Sequence, residues 1–276
     1  MVKPKIACYI TGGWTECGSM TRFLGKVNCN IDYRQRFPER TIGKKGKSRR
    51  TLKIQGETGD ALLKIAYEDM RKHSEELRSF AAILLEDDLD NQFFTEDKSS
   101  RDYEALEKRK LEITDEIRKI LNKNDMPVFF LYAIPEIEAW FIADWENTFG
   151  EEYKVHLKHM NLYFSTTFRK YVLNNVLTDA HSVEDVENYG YFGGEYKKIS
   201  DELIGAFQQY SLEKDEMKNN RMYNGIINQL IKNNKLQYSK REEGVNMLNR
   251  LLPEKVASVC QHYFSKTYME LKNFNV

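Results

Sequence analysis

The sequence predicts an α/β fold, in which a mostly parallel central sheet is flanked by helices, and three observations lead to it. Buried-strand patterns alternate with helical patterns over residues 5–146, which is the order that βαβ units produce. A glycine pair after the first strand pattern marks a tight strand-to-helix turn. Acidic residues follow the second and third strand patterns, at the edge where parallel sheets bind ligands.

The elements of this core follow in order along the chain. The first strand is expected at residues 5–11, and a short helix at 15–26 has Met20, Phe23 and Leu24 on one face. A second helix is expected at about 60–78, where apolar residues recur at helical spacing. The run 80–85 is apolar on both faces, as a central parallel strand requires. The remaining elements are a charged helix at 101–124, a strand at 127–134 and a helix within 135–146.

The second half of the chain has a different character, because strand patterns fade after about residue 150. Helices are expected at 196–211, 220–235 and 253–273, and a loop at 189–194. We therefore predict an α/β core over residues 1–150 and a helical C-terminal lobe over 151–276 that packs on the core.

Composition excludes several classes of protein without choosing a function. The 276 residues include 42 basic and 42 acidic side chains, so the formal net charge is zero and favours no partner. The four cysteines form no C-x-x-C pair, which predicts free thiols in a reducing cytoplasm. The apolar run near the N-terminus is too short for a signal peptide or a membrane span. The expectation is a soluble cytoplasmic protein.

The strongest candidate site lies after the strand at residues 80–85. Glu86, Asp88 and Asp90 alternate there, so an extended backbone would project all three to one side and Asp87 to the other. Crowded carboxylates need a cation or bound protons, and oxygen ligands suit Mg²⁺ or Mn²⁺. The alternative is a solvated acidic loop that leads into a helix N-terminus.

Two further glutamates are candidates because they follow the other strands. Glu138 lies in the apolar stretch 139–142, and a buried carboxylate needs a partner, so it is a candidate catalytic residue and metal ligand. Glu136 is explained equally well by the helix dipole. Glu16 could reach the same crevice from the first turn of the first helix, or could simply favour that helix N-terminus.

A basic segment at residues 39–57 is the candidate nucleic-acid-binding surface. Clustered cations in a loop suit contacts to phosphates without reading of sequence, although an ordinary solvated loop is an equal alternative. The residues predicted to bind are Lys44, Lys45, Lys47, Arg49 and Arg50. No G-x-S-x-G, Walker or G-x-G-x-x-G motif occurs, so serine hydrolases, P-loop proteins and Rossmann dehydrogenases are excluded.

The three strand ends together resemble a Toprim-like family of unknown function in bacteria. The matching segments are Gly12-Gly13-Trp14-Thr15-Glu16, then Glu86-Asp87-Asp88-Leu89-Asp90, and Pro135-Glu136-Ile137-Glu138-Ala139-Trp140 with Asp144 behind it. The tail is similar too, with Lys240 and a segment from Cys260 to Phe264. Nearly the whole chain is covered, and the Pro135–Trp140 segment is the most specific part.

The resemblance implies a Toprim-like core with Mg²⁺-dependent phosphodiester chemistry. Relatives of that family are often encoded beside ATPases in anti-phage defence systems, which implies a nuclease-like effector that acts on DNA or RNA with an ATPase partner. The glutamate that opens the family's first motif is Gly12 here, and the aspartate that opens the second is Glu86.

Two hypotheses follow from these residues. In the first, the protein is a metal-dependent nuclease with Glu16, Glu86, Asp88 and Glu138 as catalytic residues and Asp90 as a further metal ligand. In the second, Gly12 marks a catalytically degenerate Toprim module that regulates or binds a partner, as a homo-oligomer or hetero-oligomer.

Overall fold

The centre of the protein is a four-stranded sheet in which every strand is parallel to its neighbours. The computed structural model describes residues 3–11, 13, 15–38, 57–152, 183–184, 190–192, 194–201 and 240–275. The strand order is β2-β1-β3-β4, with β1 at Lys5–Ile10, β2 at Asp32–Phe37, β3 at Ala82–Asp88 and β4 at Val128–Ala133. The predicted α/β class with a parallel sheet flanked by helices is confirmed.

The two central strands are apolar on both faces because helices cover both faces of the sheet. Five of the six residues of β1 and six of the seven residues of β3 are buried. The register pairs Ile10 with Glu86, and Asp88 with Ala133. The ends of β1, β3 and β4 therefore meet at one edge of the sheet.

The helices around the sheet follow the predicted order with shifted ends. The second predicted helix is divided at His73, and the first begins at Met20 because residues 15–19 form turns. The helices of the core are α1 at Met20–Val27, α2 at Gly59–Lys72, α3 at Ser74–Leu77, α4 at Tyr103–Leu121 and α5 at Glu138–Ala143.

Strand β2 was not predicted, and its sequence explains why. The segment Asp32–Phe37 has four polar residues and two aromatic ones, and Tyr33 is its only buried residue. Among the described residues it pairs with β1 alone and lies at the edge of the sheet. Edge strands tolerate polar side chains on both faces, so the apolar signal that identified β1, β3 and β4 is missing here.

The described part of the second half differs from the sequence prediction in two places. Residues 190–192 and 195–197 pair as an antiparallel hairpin of β5 and β6, so a helix does not begin at 196, although residues 199–201 are helical. The predicted helix at 253–273 is two helices, α7 at Pro253–Val259 and α8 at Phe264–Asn273. The expected helix at 220–235 lies outside the described residues, so the helical lobe and the boundary at residue 150 stay predictions.

The last helices pack directly on the sheet. A π-helical turn at Lys240–Gly244 leads into α6 at Val245–Arg250. In α8, the Thr267 hydroxyl donates to the Phe130 carbonyl of β4 at 2.7 Å. The Phe264 ring packs edge-to-face on Trp140, with ring centroids 4.9 Å apart, and at a tilt against Phe23, with centroids 6.0 Å apart. The C-terminal helices thus complete the core of the α/β unit. Within the described ranges, no helix combines the length and the apolar character that crossing a bilayer requires.

Candidate metal centre

The carboxyl ends of three adjacent strands bring the predicted acidic residues to one crevice. Strand β3 supplies Glu86 and Asp88, and α5 begins directly after β4 with Glu138. Glu16 lies in the turn after β1. Because β1, β3 and β4 are neighbours in the sheet, these four carboxylates are close enough to shift one another's pKa.

Glu86 is a fully buried member of this acidic cluster, which we define as Glu16, Glu86, Asp88 and Glu138. Its Oε2 accepts from the Thr11 backbone N–H at 3.0 Å and from the Thr11 hydroxyl at 2.5 Å. Its Oε1 is buried and has no hydrogen-bond partner among the described residues. Burial, with the charge of Glu16 added, raises the pKa of Glu86 well above its usual range despite the bonds from Thr11.

Asp88 stands at the mouth of the crevice, where the sheet meets solvent. It is partly exposed, and its Oδ1 accepts from the Ile137 backbone N–H at 3.1 Å. Desolvation and the neighbouring Glu16 carboxylate raise the pKa of Asp88, and the Lys240 ammonium opposes them. Asp88 is therefore the member of the cluster that a ligand from solvent meets first.

Asp87 points to the opposite face of the sheet, as the predicted alternation requires. Its Oδ2 accepts from the Gly59 backbone N–H at 2.7 Å, at the start of α2. Burial raises the pKa of Asp87 to about 7, even though the bond from Gly59 lowers it. Asp87 serves the N-terminus of a helix and lies apart from the acidic cluster.

Glu16 lies in the turn before α1, and the predicted first helical turn at this position is wrong. Its carbonyl accepts from the N–H groups of Ser19 and Met20, both at 3.0 Å, so the turn leads directly into α1. A Cβ at Gly13 would lie 2.1 Å from Glu16 Oε2, so any residue larger than glycine there would displace this carboxylate. Burial raises the pKa of Glu16 to about 7; the Glu138 carboxylate adds to the rise and the Lys240 ammonium opposes it.

Glu136 and Glu138 differ in their surroundings although both are buried. Glu136 accepts from the Ser200 N–H at 2.7 Å and from the Ser200 hydroxyl at 3.0 Å. Burial would raise its pKa, but the Lys240 ammonium and Ser200 outweigh it, so the pKa of Glu136 is lowered. Glu138 begins α5 with its side chain fully buried, beside Lys240, and its role as a site-lining residue stays a prediction.

Lys240 is the cation of this site, and the sequence-based site prediction did not include it. Its Nζ lies 2.9 Å from Glu136 Oε2 and 3.2 Å from Glu138 Oε2, while 44% of the side chain stays exposed. Burial lowers the pKa of Lys240, but the Glu138 and Glu136 carboxylates raise it by a larger amount. The net shift of the pKa is upward, so the ammonium stays charged. Its only signal in the sequence was its place in the C-terminal part of the family resemblance.

Backbone contacts hold Lys240 over the crevice. The Thr15 hydroxyl donates to the Lys240 carbonyl at 2.9 Å. A Cβ at Gly244 would lie 2.5 Å from Thr15 Oγ1, so glycine allows the π-helical turn to approach the turn after β1 this closely. The ammonium is thereby placed by the same turn that carries Glu16.

Asp90 does not join the acidic cluster. The extended backbone ends at Asp88, and Asp90 has a left-handed φ of 43°. Its Oδ1 lies 2.8 Å from Lys198 Nζ. The predicted alternation of three carboxylates on one side therefore holds for Glu86 and Asp88 and is wrong for Asp90, because the turn after β3 redirects its side chain.

Other predicted site residues lie outside the described residues. These are Gly12 and the whole basic segment with Lys44, Lys45, Lys47, Arg49 and Arg50. Their roles stay predictions.

Asp144, the last residue of the Pro135–Asp144 motif, has a structural role. Its Oδ2 accepts from the Leu252 N–H and its Oδ1 from Asn147, which ties the end of α5 to the start of α7.

The chemistry of the acidic cluster suits a hard divalent cation, although the described residues do not form a finished set of metal ligands. Its donors are carboxylate oxygens, which Mg²⁺ and Mn²⁺ prefer, and Glu86 Oε1 is a buried acceptor with no partner among them. Within the described ranges, no three Asp, Glu, His or Cys side chains are arranged to hold a metal ion. The Lys240 ammonium instead supplies positive charge at Glu138.

A scan against models of protein families, a comparison with curated proteins and a comparison with solved structures each find no match to this chain.

Proposed function

We propose that the acidic cluster is the active site of a Mg²⁺- or Mn²⁺-dependent nuclease that hydrolyses phosphodiester bonds. The observation that carries this proposal is the convergence of four carboxylates, with raised pKa values at Glu16, Glu86 and Asp88, at the carboxyl edge of a parallel sheet. Such a concentration of buried negative charge is costly unless a cation or protons neutralise it. A site of this kind is selected for function rather than for stability.

Each side chain has a role that follows from its position. Glu86, Asp88 and Glu138 would hold the cation, which when bound supplies a more acidic water and neutralises charge on the phosphate. Glu16, with its pKa raised to about 7, is suited to accept a proton from the attacking water near neutral pH. Lys240 is half-exposed at the mouth, where its ammonium would contact a phosphate oxygen.

The biological setting of the proposal comes from the Toprim-like resemblance. We propose a nuclease-like effector of bacterial anti-phage defence that binds DNA or RNA through its backbone and acts with an ATPase partner. The basic segment at residues 39–57 is the proposed contact for the phosphates.

The test of this proposal is cleavage of DNA and RNA with Mg²⁺, with Mn²⁺ and with chelator, for the wild type, Asp88→Asn and Asp115→Asn. Asp115 is exposed on α4 and serves as the matched control for loss of one carboxylate. We expect Asp88→Asn to lose about 100-fold or more in rate, as loss of one transition-state contact does, and Asp115→Asn to match the wild type. Equal rates for all three proteins, with an ATPase encoded beside the gene added, would reject the nuclease.

A second candidate function is a non-catalytic module that regulates or binds a partner. The observation in its favour is that Lys240 already neutralises Glu136 and Glu138, while the described residues contain no finished metal-ligand set. In this case the ammonium replaces the cation permanently, and the cluster is a structural device.

The variant Lys240→Gln separates the two functions. For the nuclease, we expect thermal unfolding to show that millimolar Mg²⁺ stabilises both the wild type and Lys240→Gln, with cleavage lost only in the variant. For the non-catalytic module, Lys240→Gln lowers the melting temperature because it leaves buried carboxylates without a counter-charge, and Mg²⁺ has no effect on the wild type. Lys108→Gln on the exposed face of α4 is the control.

A further inference from the structure

A second candidate binding site lies at the opposite edge of the sheet, where β1 and β2 begin. A cavity of about 460 Å³ opens there between the first strands and α1. Its volume falls within the range that small-molecule sites occupy. Its lining includes Lys3 and Lys5 before and within β1, Arg22 on α1, and Asp32, Tyr33 and Arg34 on β2.

The cavity is strongly cationic although the whole chain is neutral. Its lining holds four basic side chains and one carboxylate, Asp32, whereas the protein has equal numbers of basic and acidic residues. A concave surface with one sign of charge concentrates ions of the opposite sign. The complementary ligand is therefore an anion that carries more than one negative charge.

Two of the four cations are held in place by the protein. The Lys3 ammonium donates to the Cys29 carbonyl at 2.6 Å, which leaves two of its three N–H groups for a ligand. The Arg34 guanidinium is fixed by Asp32, with Nε at 2.8 Å and Nη2 at 2.6 Å from Asp32 Oδ2. A guanidinium held in one orientation can pair with a phosphate through its remaining N–H groups.

The other two cations carry the uncompensated charge. Neither Lys5 nor Arg22 makes an ion pair or a side-chain hydrogen bond within the described residues. Lys5 is the first residue of β1 and Arg22 lies on the first turn of α1, so rigid elements present both. An anion bound in the cavity would be attracted by both of these charges.

The position of the cavity separates it from the acidic cluster. Lys5 begins β1, whereas Thr11, the partner of Glu86, follows its end. Six residues of strand span roughly 20 Å. A single bound phosphate therefore cannot contact both sites.

We propose that this cavity binds a small ligand that carries a phosphomonoester, such as a nucleotide, independently of the proposed nuclease activity. A phosphomonoester supplies about two negative charges and three acceptor oxygens near neutral pH, which matches the four cations. A nucleic-acid backbone offers a single charge per phosphate and would call for a basic stripe rather than a compact cavity.

Calorimetric titration of the full chain with inorganic phosphate, AMP and a single-stranded oligonucleotide without a terminal phosphate tests this. Two variants target the cavity: Lys5→Ala/Arg22→Ala removes the unpaired charges, and Gly25→Leu fills the space. A Cβ at Gly25 meets nothing within 4 Å, and replacing a helical glycine favours the helix, so we expect Gly25→Leu to fold, and its thermal unfolding beside the wild type checks this. Lys108→Ala is the charge control.

We expect AMP to bind the wild type and Lys108→Ala equally and both cavity variants at least about tenfold more weakly, or roughly 1.4 kcal/mol. Inorganic phosphate should compete with AMP. Binding of AMP that both cavity variants retain, no binding of AMP or phosphate to the wild type, or binding of the oligonucleotide alone would each overturn the proposal.

Discussion

Glu16 shows what burial among like charges does to a single carboxyl group. Burial and the neighbouring Glu138 raise its pKa from 4.5 to about 7. Between these two values the folded protein binds a proton that the unfolded chain has released. The contribution of Glu16 to stability is therefore most favourable below pH 4.5 and is lost as the pH rises through 7.

The variant Glu16→Gln makes this pH dependence measurable. In the absence of divalent cations, we expect the wild type to lose about 2 kcal/mol of unfolding free energy more than Glu16→Gln between pH 5 and pH 8. Urea unfolding at each pH gives this difference. Glu104→Gln, an exposed change on α4, should follow the wild type. If the unfolding free energy of Glu16→Gln has the same dependence on pH as that of the wild type, Glu16 is ionised in the folded protein from pH 5 to pH 8.

Single residues were predictable from sequence where the strand pattern alone decides their direction. Glu86 and Asp88 follow the alternation of β3 and meet as expected. Asp90 does not, because its own backbone is left-handed just after the strand. No local sequence pattern indicated this turn. Lys240 was missed because its partners are about 100 residues away in sequence.

At the scale of elements, strand β3 also positions a helix. The N-terminal residue Gly59 of α2 donates its N–H to Asp87, while Thr58, which precedes it, makes no side-chain cap. The first turn of a helix has unsatisfied N–H groups and a partial positive charge. Asp87, on one face of β3, thus accepts the hydrogen bond from the start of α2, while Glu86 and Asp88 face the crevice on the other.

Substitutions at Asp87 separate its charge from its hydrogen bond. Asp87→Ala should lose about 1 kcal/mol, as other helix caps do. Asp87→Asn keeps an oxygen acceptor for Gly59, and because burial raises the pKa of Asp87 to about 7, we expect it to be at least as stable as the wild type at pH 8. Urea unfolding at pH 8 compares the three proteins. A larger loss in Asp87→Asn than in Asp87→Ala would contradict the capping role.

Apolar periodicity predicted the strands that are buried on both faces and the helices that have one apolar face, and it missed the boundaries that tertiary contacts define. The division between α7 and α8 illustrates the second case. Glu184 accepts from the backbone N–H groups of His262, Tyr263 and Phe264. These groups begin a new helix at Phe264 because a distant carboxylate satisfies them, and the sequence around residue 260 contains no proline or glycine that would have indicated it.

At the scale of the molecule, the C-terminal helices belong to the core. Phe264 is 1% exposed and its ring packs edge-to-face on Trp140 and at a tilt against Phe23. We expect Phe264→Ala to lower the unfolding free energy by about 3–5 kcal/mol, as loss of a buried aromatic ring does. Met269→Ala on the exposed face of the same helix should change it by no more than about 0.5 kcal/mol.

Tryptophan fluorescence during urea unfolding measures the unfolding free energy of both variants, because the Trp140 ring contacts Phe264. A single transition shared by the sheet and the C-terminal helices is expected for the wild type. Two separate transitions, with Phe264→Ala affecting only one, would show that the C-terminal helices fold independently of the sheet.

The contact between Thr15 and Lys240 joins residues that are 225 positions apart, and this separation sets the order in which the site can appear during synthesis. A ribosome completes Glu16, Glu86, Asp88 and Glu138 long before it adds Lys240, so a nascent chain carries the acids without their lysine. The crevice can therefore be completed only after Lys240 has been added to the chain. For an enzyme that cleaves nucleic acid, as we propose, the late addition of Lys240 keeps an unfinished chain inactive while ribosomal RNA and messenger RNA surround it.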